Sequence, residues 1–471
     1  MRLLATELFR ADLRSRMTFR YGIAAMTEMP HVFLRVTGEF DDGRRQTGTA
    51  ADNLPPKWFT KDPSRDFASE IDEMIGVIDH ARHLALAMNP APSLFAFWRS
   101  LWSQTEAWAS ANRIPPLLAH FGTSLVERAA IDAFCRSRGQ TFASALRKNA
   151  FGIALGEIHA ELAGSAPSDW LPARPAGRLF ARHTVGLSDP LTEHEIAPSE
   201  RLDDGLPQSL EASIAEYGLR HFKLKIGKSD GLSRLRDIAA VLARSAPPDF
   251  LVSLDGNEGF GSVAELVAFW GEVSRDPALS DIRKRLLFIE QPFHRDIALS
   301  DQIGELSQTW PERPQIVIDE SDAELSSLPR ALKLGYAGST HKNCKGVFKG
   351  VANACLMAYH KRRDPDRRWS FTGEDLVNIG PVALLQDLAA QSALGVSSVE
   401  RNGHHYFAGL SFWPRSLQRQ VLAHHPDLYR ASRDGWPTLR IEDGKLSAES
   451  VGAAPFGVGF EFRPEEAARP I

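Results

Sequence analysis

Two periods of apolar positions divide the chain. HVFLRVTGEF and RRQTGTA flank Asp42-Gly43, and a turn dipeptide between two strand-like runs predicts an antiparallel hairpin over residues 31–50. After the prolines at 55, 56 and 63, Phe67, Ile71, Met74, Ile75 and Ile78 recur at helical spacing, and helices are expected to about residue 150. The aromatic group Phe95, Phe97, Trp98, Trp102 and Trp108 falls in this part and reads as core packing. From about residue 178 short apolar runs alternate with helical stretches, the pattern of parallel βαβ units. Eight candidate strands follow: RHTVGL, HFKLKIG, FLVSLDGN, LLFIEQP, QIVIDES, GSTHKN, RWSFTGE and SSVERN. From Lys223 through Asp255, Glu290, Asp319, Lys342 and Thr372 to Glu400, the steps run from 23 to 35 residues, enough for one strand, one helix and two loops. That regularity points to a closed barrel of eight parallel strands. Beyond about 412, Leu439 to Ile441, Asp443-Gly444 and Lys445-Leu446 read as a further short hairpin, expected to return to the N-terminal part.

Composition narrows the class. With 471 residues and 43% hydrophobic content, the chain buries a large core and fits two domains better than one. A net charge of -4 with interspersed signs gives no polyanion-binding surface, so nucleic acid is not an expected partner. Three cysteines, Cys135, Cys344 and Cys355, form neither a metal-type pair nor a disulfide framework, which fits a reducing cytoplasm. The first residues alternate apolar and charged positions, unlike a signal peptide, and no apolar run approaches the ~20 residues that span a bilayer. A soluble cytoplasmic protein is expected.

The chemistry lies at the strand ends. LVSLD, LLFIE and IVID close with Asp255, Glu290 and Asp319, and in a barrel such ends meet around one mouth. Any one of these acids would usually be a helix cap, but three on successive strands converge. Buried together they repel and lose hydration, so a divalent cation is expected among them, and oxygen-only ligands favour Mg2+. Lys223 and Lys225 are two apart on the preceding strand and face the same way, while Lys342 lies on the strand after Asp319. Mutual repulsion and the cation are expected to lower a lysine pKa toward that of a base. Glu320 adjoins Asp319, but strand neighbours face opposite sides, so Asp319 is favoured as the ligand. Asn257 reads equally as a turn residue or as one that orients a ligand. Near the end of the barrel, Glu374, Asp375, Glu400, His404, His405 and Tyr406 are further polar candidates.

These motifs resemble the mandelate racemase and muconate lactonizing enzyme group of the enolase superfamily. GLRHFKLKIG is similar to its KxK strand, and SLDGNEGF, FIEQPF and VIDES to its three metal-ligand segments. HKNCKG is similar to its second-lysine strand, TSLVERAAIDAF to the helix closing its cap, and the resemblance runs to the tail APFGVGFEF. It implies an α/β fold, a modified TIM barrel (β/α)7β with an α+β capping domain formed by the N-terminal part and the C-terminal tail. The expected division is a cap over 1–150, a barrel over 151–412 and a returning segment over 413–471. Carried over, the resemblance makes Asp255, Glu290 and Asp319 the Mg2+ ligands, Lys225 and Lys342 acid/base residues on opposite faces of the substrate, and Lys223 the group that tunes Lys225. Residues Thr18 to Tyr21 and the Gly48 to Lys57 loop match the two segments that close over the site, which makes Thr18 and Tyr21 substrate-binding candidates beside Asn257, Glu320, Glu374, Glu400 and His404. A small-molecule carboxylate substrate and a homo-oligomer are also implied.

The chain departs from the group in places. Additional material falls around 88–115 and 195–207, and Lys345-Gly346-Val347 replaces the glycine pair that often follows the second lysine. Glu400-Arg401-Asn402-Gly403 lacks the Asp-x-Asp pattern of the dipeptide epimerases. The expected reaction is removal of the proton α to a carboxylate through an enediolate, with racemisation or epimerisation as its simplest outcome. A dehydratase or other lyase and a cycloisomerase share that intermediate. A barrel hydrolase has no use for paired lysines, and a non-catalytic barrel would be expected to lack one of these positions, all of which are filled.

Overall fold

A computed structural model describes every residue except Gly22 and 228–230; the side chains of Tyr21 and Glu305 also lie outside the described part, and with them the expected role of Tyr21. The N-terminal part is a sheet of β1 (Arg2–Tyr21), β2 (Ala24–Glu39) and β3 (Arg45–Asn53), whose β2–β3 register runs from Glu39 opposite Arg45 to His31 opposite Asn53. The expected hairpin forms, and its turn carries Gly43 at φ 75°. The supposed loop from Gly48 is therefore strand as far as Asn53, and the free connection begins only at 54.

Helices α1 (Phe67–Ala87), capped by Asp66, and α3 (Pro116–Arg138) pack on this sheet, and α2 (Leu94–Asn112), capped by Ser93, packs on α3. Helix α3 is buried along most of its length because the sheet covers one side and α1 and α2 the other. A side chain at Gly48 would sit 2.2 Å from the Ala133 nitrogen, so a glycine there lets β3 approach the helix. Phe95, Phe97, Trp98 and Trp102 are buried in this core, as their spacing implied.

The second layer is a closed barrel of eight parallel strands: β4 (Arg178–Val185), β5 (His221–Lys225), β6 (Leu251–Asp255), β7 (Leu286–Glu290), β8 (Ile316–Ile318), β9 (Gly338–His341), β10 (Ser370–Gly373) and β11 (Ser398–Glu400). Strand β11 pairs back onto β4, with Glu400 opposite Arg182, so no edge is left open. All eight expected strands are present.

The tail differs from expectation. Its hairpin, Ile441–Glu442 and Lys445–Ser447, pairs with the start of β4 at the floor of the barrel, Leu446 opposite Leu179. From Pro455 onward the tail does lie against the N-terminal part: Pro455 accepts from the Phe142 nitrogen at 2.7 Å, Val458 from Arg136 at 3.1 Å, Phe462 packs on Phe33 with ring centroids 4.9 Å apart, and Arg469–Pro470 pairs with β1.

Cap and barrel are joined through buried polar contacts. Glu127 of α3 accepts hydrogen bonds from the backbone nitrogens of Val347 and Phe348 at 3.0 and 2.6 Å, at the N-terminus of the barrel helix Val347–Arg363. Asn53 donates to the carbonyls of Leu376 and Val377, each at 3.0 Å. Among the described residues no helix is long and apolar enough to cross a membrane.

Candidate active site

Strand register sets the height of each side chain. Lys225 pairs with Asp255 across β5 and β6, and Asp255 with Glu290 across β6 and β7, so the three stand on one rung at the C-terminal end of the barrel. Asp319 follows the last residue of β8, and Lys342 the last of β9. Strands β5 and β9 are second and sixth of eight, which puts Lys225 and Lys342 on opposite walls with the carboxylates between them.

Contacts at this mouth are dense. Lys225 Nζ lies 2.5 Å from Asp255 Oδ2, and Lys342 Nζ 2.5 Å from Asp319 Oδ2. Lys345, in the loop after β9, meets Asp319 Oδ1 at 2.6 Å, and Thr340 donates to the same oxygen at 2.5 Å. Lys223 Nζ stands among four carboxylates, at 2.8 Å from Glu290, 2.9 Å from Glu374, 3.0 Å from Asp255 and 3.3 Å from Glu400. The Asn257 backbone nitrogen donates to Asp255 Oδ1 at 2.8 Å from a left-handed turn position, φ 43°, so the residue both makes the turn and orients the acid.

The protein's own groups act on Lys223 and Lys342 in the upward direction, where the expectation of a lowered value counted on the cation as well. Burial disfavours their charge, but Asp255, Glu290, Glu374 and Glu400 around Lys223, and Asp319 and Glu374 around Lys342, outweigh it and raise both well above the usual lysine range. Burial and the neighbouring Glu374 push Glu290 well above its usual range, while the Glu290 Oε2 atom is buried without a hydrogen-bond partner. Burial and Asp319 push Glu320 up to about 7.

Above these groups lies a cavity that opens to solvent. Lys223, Lys225, Lys342, Asp255 and Asp319 reach it from the barrel, and Phe19, Pro55, Trp58 and Lys61 cover it from the cap. The Trp58 ring centroid is 4.7 Å from Lys342 Nζ. The covering loop is tied down by Arg295, which donates to the carbonyls of Trp58 and Phe59 at 2.9 and 2.8 Å while pairing with Glu258 at 2.8 Å.

Several expected substrate contacts move. Thr18 is exposed and faces a separate groove, because β1 alternates and it is Phe19 that turns inward. His404 is buried behind the wall, 3.3 Å from His183 and edge-on to Tyr217. Glu374 lies beneath the cavity, fully buried. Glu320 does reach the cavity beside Asp319, because β8 has already ended at Ile318 and strand alternation no longer applies. Asn257 and Glu400 also line it, with Glu400 accepting hydrogen bonds from Thr184 and, at 2.9 Å, from Asn402.

Sequence reasoning missed Phe19, Trp58 and Lys61 on the cap side, and Arg182 in the middle of β4. Arg182 lies in RLFARHTV, where Arg178, His183 and Thr184 are polar as well, so its charge alone did not single it out. Oxygens of Glu290, Asp319 and Glu374 all lie within 4.8 Å of one another, close enough to share one cation. Asp255, the expected third ligand, instead turns its Oδ2 to Lys225 and Lys223.

A capped eight-stranded barrel with carboxylates and lysines at its mouth defines a class, and solved structures agree on the fold. A mandelate racemase/muconate lactonizing protein from Herpetosiphon aurantiacus aligns at TM-score 0.58 and 16% identity, covering 95% of both chains. The N-succinyl Arg/Lys racemase from Bacillus cereus aligns at 0.58 and 14%, covering 96% of this chain and 97% of that one. A dipeptide epimerase from Enterococcus faecalis, complexed with Mg and the dipeptide L-Leu-L-Tyr, aligns at 0.59 and 10%, covering 95% and 97%. At these identities the likeness shows the fold alone: an eight-stranded parallel barrel with a cap. No family model matches the sequence, and no curated protein does.

Proposed function

We propose that this protein abstracts the proton α to a substrate carboxylate in a divalent-cation-dependent reaction and returns a proton to the opposite face, acting as a racemase or epimerase. The observation that carries this reading is the placement of Lys225 and Lys342 on opposite walls of one cavity with buried carboxylates between them. The neighbours named above, two of them titled racemase or epimerase and one holding Mg, support it by analogy of fold.

In this reading Asp255, Glu290 and Asp319 hold the cation, Mg2+ being the ion best suited to an all-oxygen set, and the unpartnered Glu290 oxygen fits such a role. The ion supplies electrostatic stabilisation to the second negative charge that builds on the carboxylate as the Cα–H bond breaks. Lys225, deprotonated, takes the α-proton onto its Nζ. Lys342, protonated, delivers a proton from its own Nζ to the other face, inverting the centre. The reverse reaction exchanges the two roles. Lys223 stays charged among its carboxylates and sets the field around Lys225. Trp58 and Phe19 close the apolar side and exclude water.

The test is α-proton exchange in deuterium oxide with Mg2+, followed by NMR across N-acylamino acids, dipeptides and acid sugars. Exchange with inversion is expected, and Lys225→Ala and Lys342→Ala should each reduce it by on the order of 10²–10⁴-fold. Exchange indifferent to both substitutions would remove the assignment of the bases. Elimination or ring closure in place of inversion would move the protein to the lyases or cycloisomerases.

A further inference from the structure

Glu374 is the least exposed acid of the mouth, and its two oxygens are occupied in a particular way. Oε1 accepts from Arg182 at 2.9 Å and from Lys223 at 2.9 Å. Oε2 accepts from Lys223 at 3.0 Å and pairs with Lys342 at 3.1 Å. One carboxylate thus touches the lysine below the cavity and the lysine of one wall. Arg182 is itself fully buried, holds Thr372 Oγ1 at 2.6 Å, and reaches across from β4 to the end of β10. Asp255, Glu290, Asp319, Glu374 and Glu400 form with Lys223, Lys225, Lys342, Lys345 and Arg182 one connected ion network, so five carboxylates meet five cations.

That balance matters when a divalent cation enters. A cation held by the mouth carboxylates would add two positive charges to a cluster that already holds the buried ammonium groups of Lys223 and Lys342. Removing Glu374 would leave Lys223 and Lys342 without the anion they share. Asp255 and Asp319 line the cavity and Glu290 keeps an unpartnered oxygen, whereas Glu374 neither lines the cavity nor has an oxygen free of a cation.

We propose that Glu374 is a positioning residue, the shared counter-anion that lets a divalent cation occupy the mouth beside Lys223 and Lys342, and that Arg182 braces it from the opposite side of the barrel. The inference rests on the cation-dependent reading above. It assigns Glu374 an action through the lysines and not through direct coordination.

A double-mutant cycle on Mn2+ affinity, read by electron paramagnetic resonance of the full chain, separates the possibilities. Glu374→Gln should weaken Mn2+ binding roughly 10-fold or more, the scale of coupling within one ion network. In a Lys223→Met/Lys342→Met background the same substitution should cost less than roughly 3-fold. Equal weakening in both backgrounds would mean direct ligation and overturn the proposal, as would no weakening in the wild-type background. If Glu374→Gln does not fold, Lys223→Met alone decides: it should tighten Mn2+ binding, and unchanged or weaker binding would overturn the proposal. Wild-type protein that binds no Mn2+ would sink the functional reading and this inference together, whereas normal binding with the wrong cycle sinks this one alone.

Discussion

Two buried ion clusters in this protein are built to opposite ends. In the cap, Arg128 and Asp52 are both fully buried and pair at 2.7 Å, and the guanidinium spends its other nitrogens on the carbonyls of Ala51 and Ser124 at 3.0 and 3.2 Å. Asp52 also accepts from the Asn53 nitrogen at 3.1 Å, so the pair is closed on itself. At the barrel mouth burial is just as deep, yet Glu290 Oε2 and Glu320 Oε2 have no hydrogen-bond partner and the charges stand over a cavity. Equal burial with unequal satisfaction separates a structural ion pair from a site. A closed pair is costly to break, while an open cluster carries like-charge crowding that a ligand relieves.

The sharpest way to break this comparison is to exchange the two roles. Glu290→Gln should reduce α-proton exchange by about 10³-fold while leaving the melting temperature unchanged or raised, because one of several crowded negative charges is removed. A large loss of stability instead would make the mouth a structural cluster. Arg128→Met should do the reverse, costing about 3–5 kcal/mol in urea unfolding by stranding Asp52, while the folded fraction keeps its activity per molecule.

Acid sharpens the contrast by adding a third buried cluster, the histidines behind the wall. Burial, opposed by a backbone hydrogen bond and helped by Arg16 and Arg401, lowers His404 to about 4. Its unfolded value is near 6.5, so below that pH the unfolded chain takes up the proton first. Stability present above pH 6.5 is then lost as pH falls toward 4, by up to about 3 kcal/mol from this group. Urea midpoints at pH 7 and 4.5 should converge in His404→Asn relative to wild type, and an undiminished difference would remove His404 as the cause. The smallest expected effect is that of the cation itself. Mg2+ at 100 times its dissociation constant should stabilise the wild type by about 2.7 kcal/mol, and the same increment should persist in Arg128→Met because the clusters share no partner. A lost increment in that variant would show that they are coupled.

Much of this was legible along the chain for local reasons. Carboxylates at the ends of apolar runs marked the barrel mouth, because a strand's last inward residue has one place to go. The KxK spacing likewise placed Lys223 and Lys225 on one face. Errors arose where a local rule stopped applying. Strand alternation set Glu320 aside as a cation ligand, but the strand ends two residues earlier and Glu320 reaches the cavity beside Asp319. The phase of β1 at its far end exchanged Thr18 for Phe19. The His-His pair after β11 turned into the wall and away from the substrate side, and the tail hairpin paired with the barrel floor while the chain from Pro455 onward reached the cap.

By itself the sequence determined the first hairpin, the eight barrel strands and their order, and the residue types at the mouth, since periodicity, turn chemistry and charge at strand ends are properties of neighbours along the chain. Tertiary structure alone decided that Arg182 and Glu374, 192 residues apart, form one pair. It alone decided that Trp58 and Lys61 cover the cavity and that carboxylates outweigh repulsion around Lys223 and Lys342. Those outcomes depend on distances across a closed barrel and on the loss of water when the cap covers it.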